Sequence, residues 1–436
     1  MTVIPLREQL LENSLLSVEE SSAILPCLTA GTHEFHVRRG GEIVSPLVLN
    51  AGDDGLVRAT GNYYVGIDWV KEGELAVQVS PKMNDGMEID YVRMLNEALC
   101  EPENYEHLQD LITIRFDKPS IEVTQQQDLL SVFLISEFIN LLHVIVRKGL
   151  KKSYYVVDDN LKSKVKGRIL VGQNIHRNLV KGNITDNVCR YQLYDIDSDE
   201  NRILKKALIF CIRQLKVYSN ATDVSVLEKK TRYIKPYFDG VGDDVSVSSI
   251  KCYKGNPVYK DYNKAIKFAQ LLLQRYSYDI TSVGRQKVNT PPFWIDMSKL
   301  FELYVFSRLR RIFSVQGELR YHMKAHWQEL DYLLNPKIWP EPYVIDAKYK
   351  PRYKESAGIY KDDARQVCGY ARLTKIYEAL NLNENKSLPL KCLIIYPDQD
   401  AKEGFVFDRL VEPAFDRVDG YVRLYKVGIR LPEIHT

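Results

Sequence analysis

The stretch from Trp327 to Lys350, WQELDYLLNPKIWPEPYVIDAKYK, constrains the chain more than any other. It reads as two strands joined by a short, polar, proline-bearing connection. The first carries Glu329 and Asp331 with Leu330, Tyr332 and Leu334 between or after them, and the second runs from Tyr343 to Tyr349. Side chains two apart on a strand share a face, so Asp346 and Lys348 project together while Ile345 and Ala347 point the other way. An aspartate and a lysine set into an otherwise apolar strand are costly to bury unless they are paired or bound to a cation.

Asp331 on the neighbouring strand would bring a second carboxylate to the same place. Two carboxylates there raise each other's pKa unless a divalent ion lies between them. A few hard oxygen ligands suit Mg²⁺, which keeps several waters and accepts phosphate oxygens. A lysine beside such an ion would position or deprotonate a water and offset charge on a pentavalent phosphate. The same spacing also fits a surface hairpin with an Asp346–Lys348 ion pair, and spacing alone leaves both readings open. Glu329 shares the face of Asp331; Asp331 is preferred because Leu330 and Tyr332 place it nearer the apolar centre.

The flanking sequence predicts a mixed sheet between helices. Pro291-Pro292 marks a boundary, and Asp296 or Ser298 caps a helix running to about Phe313. Val305, Phe306, Leu309 and Phe313 follow Glu302 at helical spacing, so Glu302 lies on an apolar face, either as a core acid paired with a cation or as a ligand. Arg308, Arg310 and Arg311 occupy the other faces, as solvated charges or contacts for a phosphate backbone. Beyond the two strands, Lys350, Arg352 and Lys354 extend the positive surface, and Asp362 to Leu380 fits one helix carrying Gln366 and Tyr370. Gln366 would bond an attacking water or a phosphate, or cap polar groups at a strand edge. Leu390–Tyr396 has the apolar run of a central strand, with further strands at Gly404–Phe407 and Tyr421–Tyr425.

The chain before this domain divides in two. Residues 1–95 are β-rich: Glu34–Arg38 and Leu75–Val79 alternate, with Tyr63–Ile67 between them. Residues 96–290 carry mainly helical periodicity, in Gln127–Val146, Asn201–Tyr218 and Tyr262–Tyr278. Between the first two helices lies a basic connector that includes Lys162, Lys164, Lys166 and Arg168, interleaved with Tyr154 and Tyr155. Clustered cations of this kind bind phosphates through counterion release, or else form a solvated face. The net charge of +3 decides nothing about a nucleic-acid partner. Seven scattered cysteines without a C-x-x-C argue against a disulfide framework or zinc site. No run approaches a membrane span and no signal peptide is evident, so a cytosolic location is expected. No G-x-x-x-x-G-K-[ST] loop occurs, so any nucleotide-driven motor would be another polypeptide.

Asp331, followed after fourteen residues by Asp346-Ala347-Lys348, resembles the PD-(D/E)XK nuclease motif, with Leu330 in the place of its proline. Gln366 and Tyr370 resemble the QxxxY helix that follows the motif in many such nucleases. The string VIDAKYK with that helix is similar to the McrC subunit family of McrBC-type modification-dependent restriction systems. So are Asn62–Ile67 leading to Val79-Ser80-Pro81-Lys82, Lys166-Gly167-Arg168-Ile169, and Glu200-Asn201-Arg202-Ile203-Leu204-Lys205. The resemblance implies a multidomain α/β protein whose residues 291–436 form a PD-(D/E)XK endonuclease domain. It implies Mg²⁺ held by Asp331, Asp346 and the carbonyl of Ala347, with Glu302 joining or bracing the site. Lys348 would orient the attacking water, with help from Gln366. It also implies DNA as substrate, touched by Lys162, Lys164, Lys166, Arg168, Lys350 and Arg352, and assembly with a hexameric McrB-like AAA+ GTPase through the N-terminal region. A non-catalytic DNA-binding or motor-activating adaptor, and a stand-alone repair nuclease, are the rival readings.

Overall fold

The structure, a computed structural model, describes residues 2–7, 14–39, 41–80, 89–98, 101, 103–104, 111–124, 129–219, 224–242, 260–277, 287–326, 328–350, 361–382, 388–401 and 405–433. Its contacts divide the chain into two units: Met1–Val123 with Ala221–Asp223 and Asn289–Thr436, and Thr124–Asn220 with Val224–Val288. Residues 1–95 and 291–436 thus fall in one unit.

In the first unit, strands β1 (Thr2–Arg7), β2 (Tyr64–Lys71), β3 (Leu75–Ser80), β4 (Ile112–Ile114) and β5 (Phe293–Asp296) form one sheet in the order β1-β3-β2-β5-β4. The expected boundary at Pro291-Pro292 thus leads straight into an interior strand of the N-terminal sheet. Pairing of Gly66 with Trp294 brings the backbones so close that a Cβ at Gly66 would lie 2.0 Å from the carbonyl oxygen of Phe293. Trp294 is fully buried in a core that also holds Phe35, Leu47, Val57 and Tyr64.

β5 runs directly into a helix. Helix α1 (Tyr91–Ala98) packs on it, and the second helix, α2 (Met297–Ile312), starts at an N-cap where the Asp296 side chain accepts from Lys299 N at 2.9 Å. Asp296 also accepts from Tyr64 OH at 3.1 Å and meets Arg39 at 3.2 Å, so this cap ties the helix to the N-terminal sheet. Strands β6 (Leu319–Ala325), β7 (Gln328–Leu334), β8 (Tyr343–Ala347), β9 (Lys391–Pro397), β10 (Asp416–Arg417) and β11 (Leu424–Ile429) build a second sheet ordered β6-β7-β8-β9-β11-β10. The first three pair antiparallel, while β8, β9 and β11 are parallel. β9 is central and nearly all buried, as its apolar run requires. The expected helix over Asp362–Leu380 is two short ones, α3 (Lys361–Tyr370) and Thr374–Ala379. Residues 405–408 have no regular structure, and the last expected strand starts at Leu424.

The second unit holds helices Leu129–Lys148, Asp199–Tyr218, Ser225–Ile234 and Lys260–Ser277, packed on one another. Its connector is mainly a β-ribbon, with a short helix, Val171–Arg177, between its strands. Ser153–Lys162 and Asp186–Asp195 pair antiparallel over ten positions, with Arg168–Ile169 as a short third strand. Aromatic and β-branched residues such as Tyr154, Tyr155, Val156 and Val157 favour that ribbon. Gly167 turns the chain into its edge strand at φ +65°, where a Cβ would lie 2.4 Å from the Arg190 carbonyl oxygen. The Glu200-Asn201-Arg202 landmark is a junction: Glu200 pairs with Lys151 at 2.8 Å, buried Asn201 donates to the carbonyls of Lys151 and Ile196, and Arg202 grips Asp197. Among the described residues no helix is long and apolar enough to cross a membrane.

Candidate active site

The site grows from the registers of β6, β7 and β8. Tyr332 pairs with Ile345, and one further step along that antiparallel register sets Asp331 opposite Asp346. Residues so opposed point to one side of a sheet, with Cβ atoms about 5 Å apart. Oδ2 of Asp331 accepts from the backbone N–H of Ala347 at 2.8 Å, which fixes the first carboxylate against the start of the chain turn after β8. Asp346 is 1% exposed and Asp331 half-buried.

Lys348 joins them. Its backbone N–H donates to Ile395 O at 2.8 Å, which keeps the chain beside β9 beyond the last residue of β8. Its Nζ lies 2.8 Å from Asp346 Oδ2 and donates to Gln366 Oε1 at 2.9 Å. The lysine contact meets Asp346 by distance and not by angle, so this buried oxygen has no well-formed hydrogen bond. Gln366 Nε2 in turn donates to Tyr370 OH at 2.6 Å, one turn along α3. Helix α3 lies on the sheet through Ala364, Val367 and Tyr370, packed with Leu333, Val344 and Ile394. The face that carries Val344 also carries Asp346, by the two-residue alternation of a strand.

The electrostatics follow from burial and crowding. Desolvation, then the Asp346 and Glu302 charges, push the Asp331 carboxyl well above the usual carboxylate range. Desolvation also raises Asp346, against the opposing pull of Lys348. Burial disfavours the charged lysine, yet the Asp346 and Asp331 charges outweigh it and raise the Lys348 pKa.

Glu302 is buried on α2 and its charge reaches both aspartates, but its carboxylate is held elsewhere. His322 Nε2 is hydrogen-bonded to Glu302 Oε1, and His322 Nδ1 lies 2.7 Å from Glu329 Oε1. Desolvation would raise Glu302, but the bond to His322 prevails and holds it below its ordinary value. Among the described residues no three His, Cys, Asp or Glu side chains gather as a metal-binding group. The expected ligand set is therefore assembled as the Asp331–Asp346 pair, with Glu302 drawn to His322.

The remaining residues divide. Lys350 is paired with Asp363 at 2.7 Å; Arg352 lies outside the described residues. Arg308 and Arg311 meet Glu97, and Arg310 meets Glu103, so the arginines of α2 are engaged by carboxylates. Lys162, Lys164, Lys166 and Arg168 are exposed in the second unit, where the Lys166 ammonium stands 4.2 Å over the Tyr191 ring. The sequence reading missed His322 and Asp363. Nothing local in the sequence marked either.

The model of the family described as McrBC 5-methylcytosine restriction system component matches residues 59–383. Among solved structures, a chain of the refined half-complex from a tetradecameric assembly of Thermococcus gammatolerans McrB AAA+ hexamers with bound McrC is 16% identical, with 98% of this chain and 94% of that chain covered and a TM-score of 0.38. A chain of the Thermococcus gammatolerans McrBC complex is 16% identical, with 73% of this chain and 90% of that one covered and a TM-score of 0.30. No curated protein matches. With the family's model aligned to well over half of its length, the chain belongs to the McrBC 5-methylcytosine restriction system component family.

Proposed function

We propose that this chain is a Mg²⁺-dependent DNA endonuclease subunit of the McrC type, working in a restriction assembly with a McrB-like AAA+ GTPase. The observation that carries the reading is the pair of opposed carboxylates, Asp331 and Asp346, with the Lys348 amine against one of them. The mixed sheet and the Gln366–Tyr370 helix beside it are consistent with a PD-(D/E)XK arrangement. Family membership supports the restriction role. The absence of a phosphate-binding loop from the sequence makes a separate GTPase the natural motor.

The donor set fits a hard divalent cation. Two crowded carboxyls with raised pKa values, one of them with a buried oxygen lacking a proper hydrogen bond, are relieved by positive charge between them. Asp331, Asp346 and the Ala347 carbonyl would hold Mg²⁺, with Glu302 bracing the site behind them. When bound, the ion supplies Lewis-acid stabilisation of the phosphate. The chain's own residues do the rest. Lys348, kept in place by Asp346 and Gln366, orients a water for in-line attack and offsets charge on the phosphate oxygens. Gln366 limits where the amine can swing, and Tyr370 fixes Gln366. No covalent enzyme intermediate is needed.

Plasmid nicking by the chain assembled with its GTPase partner tests this. Asp346→Asn and Lys348→Ala are expected to lower cleavage by about 10²–10⁴-fold, with assembly and GTP hydrolysis intact. An Asp346→Asn complex that nicks as fast as wild type would refute the nuclease reading and leave an adaptor in its place.

A further inference from the structure

We infer that His322 is a positioning residue that fixes the Glu302 carboxylate, whose charge reaches the Asp331–Asp346 pair, and so sets the site's affinity for a divalent cation; the inference rests on the cation site proposed above. Tyr321 pairs with Tyr332 and Met323 with Leu330, so His322 and Asp331 fall at the one step between them that is left unpaired. At φ +51° His322 departs from the pleat, a backbone strain seen mainly where structure over-determines it at functional sites. Here the strain places one ring between two carboxylates. Nε2 engages Glu302 on α2, and Nδ1 engages Glu329 two residues before Asp331.

The surroundings leave the ring little freedom. Tyr321, its neighbour, is stacked on Phe306 at 4.3 Å between ring centroids and on Tyr332 at 5.7 Å. Tyr332 OH donates to the Glu302 carbonyl at 2.7 Å, so strand and helix are locked together at the residue His322 holds. A carboxylate bonded through one oxygen to an imidazole has its other oxygen directed, the arrangement by which partners behind a metal's ligands tune its affinity. Glu302, which the Tyr321 hydroxyl also holds, would brace or complete the site in the orientation that His322 and Tyr321 impose together.

Mn²⁺ binding by the purified full-length chain, followed by the electron paramagnetic resonance signal of free aqueous Mn²⁺, tests this without cleavage. Gln places an amide nitrogen near the Nε2 position, and Asn near Nδ1. His322→Asn is therefore expected to weaken Mn²⁺ binding by roughly 10–100-fold, while His322→Gln stays close to wild type. Glu302→Gln, which keeps the shape but removes the held charge, is expected to weaken binding as His322→Asn does. Wild-type affinity in Glu302→Gln or in a folded His322→Asn overturns the proposal, and so does an equal loss in His322→Gln and His322→Asn. Asp346→Asn separates the two readings: loss of Mn²⁺ binding there with none in the other variants sinks only the role of His322, whereas unchanged binding in Asp346→Asn sinks the cation site itself.

Discussion

Lys348 has two partners, and they do different things. Asp346 compensates its charge, at 2.8 Å, and Gln366 gives it a direction, at 2.9 Å. Gln366 is itself exposed, so little of the fold depends on it. Replacing Gln366 with Ala removes one hydrogen bond to a charged group, worth about 1.5 kcal/mol. That should lower plasmid nicking by the assembled complex about tenfold and leave the melting temperature nearly unchanged. A Gln366→Ala complex with wild-type cleavage would show that the amine needs no second partner. Asp331, Asp346, Lys348 and Gln366 were legible in the sequence because two-residue alternation and the spacing of a short motif carry them. His322 was not, because a left-handed residue inside a strand breaks the alternation on which such reading depends.

At the scale of elements, the decisive join is β5, the strand that leaves the N-terminal sheet as α2. Gly66 allows it: the β2 backbone approaches Phe293 where no Cβ fits. Gly66→Ala must therefore separate β2 from β5 or shift the start of α2, five residues before Glu302. Overpacking of this sort costs about 1–3 kcal/mol, and a contact with backbone leaves no flexible side chain to yield. A melting temperature lower by several degrees is expected, along with reduced cleavage, because the Asp296 cap and Glu302 move together. An unchanged melting temperature would mean that the two strands tolerate separation. The α2 helix and its Asp296 cap were readable from local spacing. Membership of β5 in the N-terminal sheet was not, because it pairs residues more than two hundred positions apart and Pro291-Pro292 has the local look of a boundary. The ribbon of the second unit was hidden by its charges, which mask the aromatic and β-branched alternation of its two long strands.

For the whole molecule, cation placement matters more than the net charge of +3. The carboxylate pair belongs to the first unit, while the exposed Lys162, Lys164, Lys166 and Arg168 belong to the second. On the function proposed above, the two jobs would be separate: chemistry in one unit, grip on the phosphate backbone in the other. Each phosphate neutralised releases condensed counterions, and the slope of log K against log salt changes by about 0.9 per contact on duplex DNA. Lys166 has part of its charge directed over the Tyr191 ring, so it would contribute least of the four. Replacing all four with Ala should weaken binding of duplex DNA at low salt, flatten the salt dependence by roughly two to three units, and affect all sequences alike. Asp346→Asn should leave that slope where it is in wild type, since it removes no cation. Fluorescence anisotropy of a labelled duplex over a salt series measures both. An unchanged slope in the fourfold variant would make these side chains a solvated face and send the search for the DNA-gripping surface to the first unit.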